Sequence, residues 1–113
     1  MRIYIVMILC GIITLIIPGK ASAESTTYRQ ITGIGCTLSN SICYVGISGD
    51  AAGPSTCRST SIRWNAKNDE NGKNILSLLT AAYLSGKKVS FAMRSSCFVD
   101  QTAYPTFDWI NIQ

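Results

Sequence analysis

The densest chemistry in the chain lies near its C-terminus, where Ser95, Ser96, Asp100, Gln101, Thr102 and Tyr104 bring hydroxyls, a carboxylate, an amide and a phenol within ten positions. Sugar recognition asks for this mixture, with polar groups for the ring hydroxyls and an aromatic face for the apolar side of the ring. Ser95, Ser96, Asp100, Gln101 and Tyr104 are therefore the candidate glycan-binding residues. The competing reading is a solvated loop in which Tyr104-Pro105 packs at the start of a strand. Catalytic groupings are sparse. With no histidine in the chain, neither a Ser-His-Asp triad nor a Cys-His pair can form. The carboxylates Asp50, Asp69, Glu70, Asp100 and Asp108 are scattered, and helix capping accounts for the adjacent Asp69-Glu70. This inventory points away from an enzyme and requires no cofactor; a small hydrolase acting through Asp100 is the remaining catalytic alternative.

The five cysteines divide into two groups. Cys10 lies in an apolar N-terminal run, whereas Cys36, Cys43, Cys57 and Cys97 are an even set in the remainder, which in an exported chain reads as two disulfides. A zinc site would need four thiolates at unusual spacing, without histidine or any C-x-x-C pair, so no metal is expected.

Export follows from the N-terminus. Arg2 precedes the uncharged run Ile3 to Ile17, Pro18-Gly19 ends it, and Ala21-Ser22-Ala23 has the small-x-small form that signal peptidase accepts. Residues 1–23 read as a signal peptide, since the run is shorter than the roughly 20 residues a spanning helix needs. Its removal from the 113 residues leaves a single domain of 90, residues 24–113, located in the periplasm or outside the cell. Loss of Arg2 and Lys20 leaves eight basic residues against six acidic ones. That balance calls for no nucleic-acid partner, and no membrane span remains.

These side chains must be positioned by a mainly β framework with one helix. Glu24 to Thr27 is polar and is expected to fray. Tyr28 to Gly35 is a strand whose faces are both mixed, and its glycines suit a sharp bend. After a turn at Leu38 to Ser41, Ile42 to Ile47 is a second strand. Ser48 to Ser55 is a loop, and a third strand runs from about Thr56 to Trp64, starting at Cys57. Asp69 or Asn71 is placed to cap a helix whose apolar stripe is Ile75, Leu78, Leu79 and Ala82. Gly86 ends that helix, and Val89, Phe91 and Met93 alternate along a fourth strand. A long loop from Ser95 to Pro105 precedes a fifth strand with Phe107 and Trp109, which are assigned to the core together with Trp64.

The order β-β-β-α-β-β is that of the OB fold, a five-stranded Greek-key barrel. In that arrangement the start of the third strand lies beside the loop joining the fourth and fifth. Cys57 then meets Cys97, and Cys36 faces Cys43 across a hairpin. Cys43–Cys57 with Cys36–Cys97 is the alternative pairing.

Ile42-Cys43-Tyr44, Cys57, Trp64-Asn65-Ala66, the segment LLTAAYLSGKKVSF and Ala103-Tyr104-Pro105-Thr106-Phe107, behind an export signal, resemble the receptor-binding B subunits of AB-type bacterial toxins, of the subtilase-cytotoxin and typhoid-toxin kind. The helix-glycine-strand segment also resembles small exported bacterial proteins of unassigned role. The toxin resemblance implies a lectin-like virulence module: an OB-type barrel, a homopentameric ring with the helix face of Lys73, Asn74, Ser77, Thr80 and Tyr83 at its centre, host-surface glycans as ligands, and an A subunit as partner. Met93 stands where those subunits carry an aromatic sugar contact. The alternative is a small secreted or periplasmic interaction or structural protein without a sugar site.

Overall fold

A computed structural model describes residues 24–113; the expected signal peptide lies outside the described residues. The chain forms strands β1 (Ile31–Cys36), β2 (Ile42–Ile47) and β3 (Ser61–Asn65), helix α1 (Gly72–Ser85), and strands β4 (Val89–Cys97) and β5 (Pro105–Ile112). Two antiparallel sheets result, one ordered β1-β2-β3 and the other pairing β4 with β5. Cys36–Cys43 and Cys57–Cys97 are both bonded. Among the described residues no helix is long and apolar enough to cross a membrane.

The mixed faces of the first strand are resolved by a bulge. Ile31 pairs with Ile47 and Gly33 with Gly46, so Thr32 is one residue too many against β2. The extra residue resets the alternation. Ile31 and Ile34 thus both reach the core, while Gly33 and Gly35 face outward. A second shift in register, in β5, has the opposite effect on its aromatic residue. Phe107 pairs with Met93 and Trp109 with Ala92, leaving Asp108 extra. Phe107 stays in the core, but Trp109 turns out and is 52% exposed, contrary to its expected burial.

The core holds Trp64, Phe91 and Phe107 in two edge-to-face contacts, with ring centroids 5.8 and 5.5 Å apart. Val45, Ile62, Leu79, Val89 and Met93 fill the space around them. Trp64 also donates from Nε1 to the Gly72 carbonyl at 3.0 Å, which fixes the start of α1 to β3. The helix turns Ile75, Leu76, Leu79 and Ala82 toward the core. Leu78, expected in that stripe, is 48% exposed because the buried arc is centred one position away, on Leu79. Neither expected capping bond forms. Asn71 adopts the left-handed conformation with no side-chain cap, and the Asp69 carboxylate accepts from the Asn65 amide at 2.8 Å instead. At the other end Gly86 has φ 72°; its N–H and that of Lys87 donate to Tyr83 and Ala82, which is the Schellman ending.

Three boundaries differ from those expected. Cys57 sits in a turn, with its N–H donating to the Pro54 carbonyl, so β3 begins only at Ser61. Ser95, Ser96 and Cys97 belong to β4, which shortens the following loop to residues 98–104. The N-terminal segment is a strap rather than a frayed end. Thr26 and Arg29 donate to the Phe91 and Val89 carbonyls, and the Met93 amide donates to the Glu24 carbonyl. Residues 24–30 thereby run on from β1 along the outer edge of β4.

Candidate functional site

The outward face of the three-stranded sheet has a bare floor and two tall side chains. Register sets Gly35 beside Tyr44 and Tyr44 beside Arg63, with Gly33, Gly46 and Ser61 in the next row. A Cβ on Gly35 would lie 2.8 Å from Tyr44 Cε1, so the phenol ring rests on the glycine backbone. The glycines of β1 thus serve as a seat for an aromatic ring.

Arg63 stands between two tyrosines. Its Cζ lies 3.6 Å from the centre of the Tyr104 ring and 5.7 Å from that of Tyr44. Nη1 donates to Gln101 Oε1 at 2.5 Å and Nε to Ser61 Oγ at 3.1 Å. Such contacts hold a planar guanidinium in one orientation, where lysine would offer only a mobile point charge. Nη2 has no hydrogen-bond partner among the described residues. Tyr44 remains 39% exposed.

Beside this platform a cavity of about 500 Å³ opens between the β1–β2 turn and the β4–β5 loop, lined by Asn40, Ser41, Lys67, Asn68 and Asp100 among others. Asn65 is among its lining residues and ties the β1–β2 turn to the segment after β3. Its Nδ2 donates to the Asn40 carbonyl, while its Oδ1 accepts the amides of Lys67 and Asn68 at 2.9 and 2.8 Å. Each flanking loop is braced by a disulfide. Cys36–Cys43 closes the base of the 37–42 turn, and Cys57–Cys97 anchors the residue just before the 98–104 loop.

The candidate residues are thus divided. Gln101 and Tyr104 converge on Arg63, and Asp100 lines the neighbouring cavity. Ser95 and Ser96 are exposed on β4 and line none of the described cavities. Met93, at the position where the toxin subunits carry an aromatic sugar contact, is 1% exposed in the core and lies outside the cavity at Asp100. Tyr44 and Arg63 were missed from sequence. Their signal was Gly33-x-Gly35 on one strand and the period-two set Ser61, Arg63, Asn65 on another.

Among the described residues no cluster of His, Cys, Asp or Glu could hold a metal ion. Comparison with family models, with curated proteins and with solved structures finds no match for the chain.

Proposed function

We infer that the protein is an exported carbohydrate-binding module whose ligand lies on Tyr44 and Arg63 and reaches into the cavity at Asp100. The observation carrying this reading is the oriented Arg63 guanidinium stacked on Tyr104, beside an exposed Tyr44 seated on glycine. A sugar ring has an apolar face for the phenol and hydroxyls for Arg63 Nη2, the Gln101 amide and the Asp100 carboxylate. The proposed fold agrees with this use. The pairing of the strap with β4, and the contact of β3 with β5 through Trp64 and Phe107, support an OB-type barrel order for the strands. That barrel binds oligosaccharides on the face of its second and third strands, between the loops that follow its first and fourth. Nucleic acid is disfavoured, because Arg63 and Lys67 with Asp100 between the loops do not make a basic groove.

A glycan array probed with oxidised protein tests the claim. Binding is expected, and its loss in Tyr44→Ala and Arg63→Met with the fold retained locates it; a blank array at high protein concentration overturns it. The toxin-type role, a homopentameric ring carrying an A subunit, belongs to the same proposal. Leu78, Leu84 and Trp109 supply exposed apolar surface for such contacts. Native mass spectrometry decides this part, since a monomer removes the ring and leaves an interaction protein.

A further inference from the structure

We propose a second ligand site, for a tetrahedral oxyanion, in the cavity of about 160 Å³ that the N-terminal strap roofs against the loop after β2. It shares no lining residue with the cavity at Asp100 and does not depend on the carbohydrate reading. Two arginines line it, Arg29 from the strap and Arg58 from the loop.

Each is anchored by one arm to backbone. Arg29 Nη1 donates to the Ser48 and Asp50 carbonyls at 2.7 and 2.8 Å, and its Nε donates to Thr27 Oγ1 at 3.0 Å. Gly49, at φ 83°, allows the loop to close over this guanidinium, since a Cβ there would come within 3.1 Å of Nη1. Arg58 Nη1 donates to the Gly53 carbonyl at 2.9 Å. Nη2 of both residues and Nε of Arg58 have no hydrogen-bond partner among the described residues, and neither arginine is paired with a carboxylate there.

Two oriented, unpaired cations on different walls make a non-planar donor array. The Thr27 hydroxyl, whose oxygen accepts from Arg29, has its own proton to donate, and the Ser25 hydroxyl is a further lining group. A carboxylate presents two coplanar oxygens and suits a single fork; sulfate or phosphate presents oxygens in several directions and suits this arrangement. Glu24 on the rim opposes the anion, which supplies an internal control.

The test is an amide chemical-shift titration of the oxidised protein with sodium sulfate and sodium phosphate, at ionic strength held constant with sodium chloride. Saturable shifts at residues 25–29 and 51–53 are expected. Arg58→Gln should weaken binding about tenfold, as loss of a charge-assisted fork does. Glu24→Gln should strengthen it about threefold, and Arg58→Lys, which keeps the charge without the fork, should fall between Arg58→Gln and the native protein. A parallel arm with galactose 6-sulfate against galactose separates an ester-bearing ligand from the free ion. Shifts that grow linearly, that chloride reproduces, or that persist unchanged in Arg58→Gln overturn the site.

Discussion

Each sheet has a one-residue bulge, Thr32 in β1 and Asp108 in β5, and the two bulges do opposite things; β4 has a further register shift between Met93 and Cys97. In β1, Thr32 lets Ile31 and Ile34 both enter the core, and the glycines take the outer face. In β5, Asp108 keeps Phe107 inside and puts Trp109 out. The outer surface of the first sheet becomes a seat for an oriented tyrosine and arginine. The second sheet instead has Ser90 and Ala92 nearly buried on β4, the strap along its edge, and one bare indole. A bulge is thus a means of choosing which residues a strand shows, and here two of them set which aromatic residues reach the surface.

The sharpest way to break the comparison is to truncate its aromatic residues. Trp64→Ala should cost about 3–5 kcal/mol, because it empties the contact with Phe107 and releases the Gly72 carbonyl. Trp109→Ala should cost about 0.5 kcal/mol, as an exposed substitution does. Urea denaturation of the two variants reads both numbers, and similar losses would refute the outward placement of Trp109.

The disulfides give the next largest contrast. Cys57–Cys97 spans 40 positions and ties the loop before β3 to the end of β4, whereas Cys36–Cys43 spans 7 within one sheet. On the chain-entropy account their removal costs about 4 and about 2.5 kcal/mol. Paired serine substitutions followed by thermal melts should rank them in that order. Loss of the shorter bridge should nonetheless weaken glycan binding, since it closes the turn lining the cavity.

The first sheet's glycine floor is tested by Gly35→Val. The side chain displaces the Tyr44 ring, so glycan binding should fall at least tenfold, in the range of a lost aromatic contact, while stability drops by about 1 kcal/mol. An unaltered binding curve would separate the ring's position from recognition. The smallest effect belongs to Arg94, which pairs with Asp108 at 2.8 Å while both side chains are about half exposed. Arg94→Met should change stability by less than about 1 kcal/mol and respond to salt.

What could be read in the sequence was whatever repeats without interruption. The period-two run Val89, Phe91, Met93, the helix with its glycine ending, the element order and the Cys36–Cys43 hairpin pair follow from local spacing, whereas Cys57–Cys97 comes from the strand arrangement expected of the element order. Tyr44 and Arg63 could not be found in that way, because facing them across β2 and β3 and seating the ring on Gly35 depends on register that a single residue at Thr32 changes. Trp109 was misplaced for the same reason. The strap was missed because Glu24 to Thr27 is polar, and its pairing comes from backbone groups and the Thr26 hydroxyl, which accepts the Phe91 amide at 2.9 Å.

That last hydrogen bond joins residues 65 positions apart. During synthesis the strap is made before the other elements described and the strand it borders is made 65 positions later, so the strap must wait for β4. Until then β4's future neighbour has nothing to bind, and when β4 arrives its edge is open. Closing so long a loop is slow compared with forming the β1–β2 hairpin or α1. Docking of the strap is therefore one of the long-range closures this fold must make. An unsealed β4 edge is also the place where two incompletely folded copies would join.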